Sequence, residues 1–384
     1  MKTEVVFVER IFPLYRKAVY DIIHAKKRIK FFHGIDKKCS IKQTTAEYSV
    51  PINGFQYSNK ESGVFFFLLR KLFQEKPKIV VHEFSAGILS KPLLIFFCKL
   101  FKTKLIFWGH MYDRNKGFLP SKRLADKYRM WLWRRADSLI TYSQQEKELL
   151  INNRVSPEKI FVAFNTVDTR AFLKVRDELE QIGKQEIKRR LNFQHEFNLA
   201  FIGRLYKEKK PELLIDLLVR LKQEGFISVA VHFIGGGEML PVLQQKVMEY
   251  SLEKDVFFHG AVYDELKTGQ MLFSSDLMIM PGCVGLSVNH SFCFNCPVVT
   301  FKELNSEPAH GPEVEYITDN KTGFLIPDHS VEMLGKVVAN YLNSQQLRAT
   351  MQKEIRDFIE NKCSVERMAE GVVNAIDYNC LSLN

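Results

Sequence analysis

Residues 201–215, FIGRLYKEKKPELLI, end an apolar run at Gly203 and set Arg204, Lys207, Lys209 and Lys210 in a short span before apolar spacing resumes. Arginine presents a planar fork of donors and lysine a mobile point charge, the two groups that together meet a diphosphate. Two further turns follow the same plan of apolar run, glycine and helix. VHFIGGGEMLPVLQQ passes through Gly235, Gly236 and Gly237, where missing side chains let a ligand approach the backbone. DLMIMPGCVGLSVNHSF ends its run at Pro281 and Gly282, passes Gly285 and opens a helix near Leu286 and Ser287, whose first amides have no intrahelical acceptor and favour an anion. Read alone, the basic run fits a solvated turn as well as a phosphate site. No glycine-rich loop ending in Gly-Lys-Ser or Gly-Lys-Thr occurs, which argues against a P-loop ATPase.

These turns need strands and helices to hold them. EVVFVE, RIKFFHG, KIVVHEF, KLIFWGH, SLITYS and KIFVAFN alternate with helical patterns over the first part of the chain. After a charged helical stretch, FNLAFIG, SVAVHFIG, DVFFHG, LMIMPG, PVVTF and TGFLIP form a second series. Strands separated by helices imply parallel sheets covered on both faces, with ligands beyond the carboxyl ends of the strands. The length of 384 residues suits two such units. Ser364 caps a final helix with Glu366 in its first turn.

Charge divides the chain. Residues 1–150 hold 29 Lys and Arg against 13 Asp and Glu, and residues 201–384 hold 17 against 24. The basic half is expected to meet something anionic, such as a membrane surface or phosphorylated lipid. No recognised nucleic-acid motif occurs, so no nucleic-acid partner is expected. MKTEVVFVER has too short an apolar core for a secretory signal, and GVFFFLLRKLF and PLLIFFCKLF are interrupted before the length of a membrane span. Seven scattered cysteines read as reduced thiols, and Cys293 and Cys296 lack the second pair that zinc needs.

In order and spacing, FIGRLYKEKKPELLI, FIGGGE, FFHGAV, the PG to GLS turn and HGPEVEYITDNKTGFLIP resemble the nucleotide-sugar domain of the retaining glycosyltransferases of family 4. FNTVD, residues 164–168, is similar to the crossing between that family's domains. The resemblance implies an α/β GT-B fold: two Rossmann-like doubly wound domains facing across a cleft, with C-terminal helices closing back on the first. The expected boundaries are 1–168 for the acceptor domain, 169–355 for the nucleotide-sugar domain and 356–384 for the returning helix.

It also implies roles. Arg204 and Lys209 match the cations that neutralise the donor diphosphate, and His110 in LIFWGHMYD matches a histidine beside the donor sugar. Gly203, Gly235, Gly236, Gly285, Leu286, Ser287, His290 and Glu313 fall at donor-binding positions, with a helix-start role also open for Glu313. The family's two glutamates, eight positions apart, are here Gly282 and His290. Glu307, His310 or Glu313 must then hold the sugar, or the chain has become a catalytically degenerate nucleotide- or glycan-binding subunit. Tyr15, Arg16 and Lys17 are expected to face an acceptor, with Lys26, Lys27, Arg28 and Lys30 toward anionic head groups; a solvated helix face explains them too. The aromatic runs GVFFFLLRKLF and PLLIFFCKLF suit core helices at least as well as a membrane interface. The expectation is a hexosyl transfer from a nucleotide sugar to a lipid-linked or other glycan acceptor for surface polysaccharide, on the cytoplasmic face of a membrane, without metal or cofactor.

Overall fold

A computed structural model describes residues 4–35, 41–52, 55–56, 63–64, 66–84, 91–305 and 307–381. The chain forms two units, residues 1–168 with 364–384, and residues 169–363.

The first unit is a parallel sheet of seven strands: β1 (Val5–Glu9), β2 (Ile29–His33), β3 (Ser49–Pro51), β4 (Ile79–Glu83), β5 (Lys104–Trp108), β6 (Ser138–Thr141) and β7 (Ile160–Val162). Their order is β3-β2-β1-β4-β5-β6-β7, so the winding direction reverses between β1 and β4. Side chains alternate across the sheet as the strand period requires. Val6 and Val8 join Leu72, Leu94, Leu132 and Leu150 in the core under one face. Those four leucines come from α2 (Phe66–Glu75), α3 (Lys91–Leu100), α4 (Leu124–Trp133) and α5 (Gln144–Asn152). Val5 and Phe7 join the opposite core with Val19, Tyr20 and Ile23 of α1 (Lys17–Lys27). Strands buried on both faces need this unbroken apolar composition. Edge strand β3 went unread in the sequence because it is three residues long and ends in proline.

The second unit begins with α6 (Thr169–Ile182) and α7 (Lys184–Arg190). Its strands are β8 (Phe197–Ile202), β9 (Val229–Ile234), β10 (Val256–Phe258), β11 (Leu277–Ile279), β12 (Val298–Phe301) and β13 (Gly323–Ile326). All pair in parallel, in the order β10-β9-β8-β11-β12-β13. The reversal lies between β8 and β11. The strands are joined through α8 (Leu213–Gln223), α9 (Leu240–Glu249), α10 (Glu265–Ser274) and α11 (Ser287–Cys293), and followed by α12 (Val331–Asn343) and α13 (Gln345–Asn361).

The expected start of the returning segment at residue 356 falls inside α13. That helix continues to Asn361, with Met351, Ile355 and Ile359 fully buried. The chain passes to the first unit at Ser364, whose Oγ accepts from the Arg367 amide and caps α14 (Val365–Leu381). There Gly371 lets α14 meet the β7 backbone, since a methyl group would lie 3.0 Å from Ala163 Cα. Asn379 donates to Ser138 Oγ at 2.7 Å. No helix among the described residues is long and apolar enough to cross a membrane.

Candidate functional site

In the second unit three strand-to-helix turns converge at the point of reversal. The turn after β8 carries Gly203 and Arg204, then a short 3-10 helix from Lys207 to Lys209. Gly203 donates its amide to Ile234 O, Leu205 donates to Gly236 O and Met239 donates to Leu205 O, each at 3.0 Å. These bonds tie the β8 turn to the glycine turn after β9. The approach is so close that a methyl group on Gly235 would fall within 2.8 Å of the Gly203 carbonyl carbon. Gly236 faces open space, with nothing within 4 Å of where its side chain would begin.

The turn after β11 is tied to the same cationic segment. Gly282 donates to Lys209 O at 3.1 Å and Cys283 to Glu208 O at 3.3 Å. Lys209 Nζ donates to Cys283 O and meets Met280 Sδ, both at 3.2 Å. Burial lowers its pKa, the Cys283 thiol opposes that shift, and the Arg204 charge adds to it. Arg204 is exposed and lies over the Tyr206 ring, 4.9 Å from its centroid. Among the described residues neither Arg204 nor Lys209 pairs with a carboxylate. Two cations held at the strand ends without counter-charge give this turn a positive potential.

Gly285, Leu286 and Ser287 lead into α11, which is short at seven residues, so its dipole adds less than a long helix would. Ser287 Oγ turns toward Met280 Sδ at 3.8 Å. His290, further along α11, rests on the Phe172 ring at 4.8 Å, and its Nδ1 has no partner among the described residues. Burial lowers its pKa to about 4, leaving a neutral ring able to bond a hydroxyl. The buried Glu313 lies in the 3-10 turn Pro312–Tyr316, its Oε2 3.9 Å from where a Gly285 side chain would begin.

His310 is not available to a sugar. Its Nδ1 accepts from the Val284 amide at 3.2 Å, so Nε2 carries the proton and donates to Phe301 O at 2.8 Å. It clamps the β11 turn to the end of β12. Gly282, read from sequence as a missing carboxylate, is a packing requirement. A side chain there would collide with the backbone of Glu208 and Lys209, reaching 2.6 Å from the Lys209 carbonyl carbon.

In the first unit His110 follows β5, with its side chain 45% exposed. Its Nδ1 lies 3.4 Å from Glu146 Oε1 and its ring meets Tyr142 edge-on at 4.9 Å. Glu146 is fully buried. Its amide donates to the capping Ser143 Oγ at 3.1 Å and its Oε2 accepts from the Tyr142 amide at 3.1 Å. Arg114 approaches the same carboxylate at 3.8 Å. The sequence reading missed Glu146, although Ser-x-x-Glu at residues 143–146 is a helix-start signal.

The expected acceptor residues are placed differently. Arg16 is buried, donating to Tyr142 Oη at 2.6 Å and Asn165 Oδ1 at 2.7 Å. The rings of Tyr15, Trp108 and Tyr142 surround it. It is a structural hub of the unit, not an open cation. Lys17 pairs with Asp21 at 2.7 Å, and Tyr15 is half-buried.

Comparison with known proteins identifies this arrangement. The glycosyl transferases group 1 family matches residues 183–358, and Glycosyltransferase Family 4 matches residues 36–171. The chain is a glycosyltransferase. An uncharacterized glycosyltransferase of Methanocaldococcus jannaschii is 25% identical over 307 residues, 79% of this chain and 68% of that one. The poly(ribitol-phosphate) alpha-N-acetylglucosaminyltransferase of Staphylococcus aureus is 26% identical over 187 residues, 48% of this chain and 36% of that protein. The chain thus spans about a third of the staphylococcal relative's length. The fold matches that of Anabaena HepE, crystallised with UDP, at a TM-score of 0.68 and 14% identity, covering 97% of this chain and 99% of that one. This glycosyltransferase is therefore of the GT-B type, and the turns around Lys209 lie in the part matched by the group 1 model.

Proposed function

We propose that this glycosyltransferase moves a hexosyl group from a nucleoside diphosphate sugar to a lipid-linked glycan hydroxyl in surface-polysaccharide synthesis, with retention at the anomeric carbon. The observation that carries the donor half is the pair of uncompensated cations, Arg204 and Lys209, beside the open glycine turn at Gly235 and Gly236. As the sugar leaves, charge grows on the diphosphate. Arg204 meets it with a fork of hydrogen bonds, and Lys209 gains back the favourable environment for its proton that burial takes away. The cations do this neutralising, so the reading requires no metal. His290 offers a neutral ring to a ribose hydroxyl, and Glu313 a carboxylate beside the Gly285 turn. His110, backed by Glu146, keeps the role toward the donor sugar that the family resemblance gives it. HepE was crystallised with UDP, which makes uracil the base to try first. The name of the staphylococcal relative supports a surface-polymer acceptor.

Gly282 favours a second reading, a binding subunit without turnover, because no side chain stands where the family places a glutamate. Release of UDP from UDP-glucose, UDP-galactose and UDP-N-acetylglucosamine, with and without a bacterial lipid-linked glycan extract, separates the two. UDP release that rises with extract, giving a product whose proton couplings show the donor's anomeric configuration, supports transfer with retention. UDP binding without release supports the binding subunit, and an inverted product refutes retention.

A further inference from the structure

Two of the four cations expected to seek head groups are paired within the unit: Lys27 at the end of α1 meets Asp377, and Lys30 of β2 meets Glu75. The outer face of α3, on the other side of the sheet from α1, has the opposite character. Leu93, Phe96 and Leu100 recur at three- and four-residue spacing and are 54%, 65% and 63% exposed. Leu94, Ile95, Phe97 and Cys98, on the other side of the helix, enter the core. The sequence pattern fits a core helix; the structure shows a helix that is apolar on both sides and buries only one. Past its end Phe101 meets the exposed Phe73 of α2 edge-on at 5.5 Å. The side chains of residues 63–69 lie outside the described set.

Charge borders this apolar ridge. Arg70 and Lys71 of α2 are exposed, and no Asp or Glu occurs between Glu83 and Asp113. Along the other flank of α3 lies an open recess of about 400 Å³, lined by Lys99, Lys102, Lys104 and Arg135 with Asp137. Asp137 is already engaged by Lys104 at 3.3 Å and by the Leu105 amide at 2.9 Å. Among the described residues Lys99, Lys102 and Arg135 have no acidic partner.

We infer that the α3 face docks this protein on a bilayer containing anionic phospholipid, with Leu93, Phe96 and Leu100 entering the acyl boundary and the Lys99, Lys102 and Arg135 recess taking a lipid phosphate. An apolar ridge flanked by unmatched cations complements a surface that layers phosphate over hydrocarbon. A second copy of this chain would bring the same cations against each other. The inference stands apart from the nucleotide reading, since it uses no residue of the second unit.

Flotation of the full chain with vesicles of phosphatidylcholine, alone or mixed with phosphatidylglycerol, tests it. The expected result is binding to the mixed vesicles only. It should weaken about tenfold or more in Phe96→Ser with Leu100→Ser and about fivefold for each of Lys99→Glu and Arg135→Glu. Lys26→Glu on α1 should change it little. Urea unfolding of the same variants reports whether they fold. Phe96→Trp supplies a positive readout, because its fluorescence should be quenched by lipids brominated along the acyl chain. Equal binding to both vesicles, no quenching, or loss of binding with Lys26→Glu alone overturns the inference. Self-association through this face without vesicle binding also overturns it and assigns the face to a second copy.

Discussion

Restoring the family's glutamate by Gly282→Glu should damage the site instead of improving it, and Gly282→Ala is enough to show why. The added methyl group would lie 2.6 Å from the Lys209 carbonyl carbon, with Glu208 O and Lys209 Cα closer still, against 3.4 Å or more for ordinary contact. The Lys207–Lys209 turn must therefore move by roughly 1 Å. That motion strains the bonds from Gly282 to Lys209 O and from Cys283 to Glu208 O, each worth about 1 kcal/mol. Overpacking adds about 1–3 kcal/mol. We expect about 2–4 kcal/mol of lost stability by urea unfolding, and UDP affinity lower by about tenfold or more because Lys209 moves with its turn. Gly236→Ala, whose side chain would enter open space, is the control, expected to stay near wild-type stability. A Gly282→Ala protein with unchanged unfolding midpoint and UDP affinity would refute the reasoning.

His310→Leu removes an acceptor from the Val284 amide and a donor from Phe301 O; calorimetry should show about 2–4 kcal/mol of destabilisation, and a wild-type melting profile would contradict the clamp. Burial raises the Glu9 pKa from 4.5 to about 7, so the folded state keeps a proton that the unfolded chain has released. Stability should be highest below pH 4.5 as far as this group is concerned, and fall as pH rises to about 7, by at most about 3 kcal/mol. Glu9→Gln should then gain stability at pH 8 but not at pH 4.5, and equal effects at both would argue against it. Glu146→Gln keeps an acceptor for the Tyr142 amide but removes the charge beside His110; turnover should fall about tenfold while UDP affinity holds, and a loss of UDP affinity instead would point to unfolding of the α5 cap.

Twelve of the thirteen strands in the two parallel sheets were legible because a strand buried on both faces needs a continuous apolar run, and such runs end in the Gly or polar residues seen here. The three glycine turns of the second sheet were legible too, since glycine at a strand end has few structural substitutes. What escaped depends on tertiary contact. Arg16 and Lys17 look alike in sequence, yet one is enclosed by Tyr15, Trp108 and Tyr142 and the other rests on its own helix beside Asp21. His310 resembles a ligand until both ring nitrogens are found on backbone groups. Gly282 reads as a loss until the Glu208 and Lys209 backbone is found against it. The periodicity of α3 fits a core helix, and only the layer it occupies shows that Phe96 is exposed.

We take Arg204 and Lys209 to bind a nucleoside diphosphate at the reversal point of the second sheet. Isothermal titration of UDP, GDP and dTDP into the wild type, Arg204→Ala and Lys209→Ala proteins tests it most directly. We expect binding of one diphosphate, weakened about tenfold or more by either substitution with the melting temperature of the free proteins little changed. Absence of binding by all three at millimolar concentration, or binding indifferent to both substitutions, would contradict it.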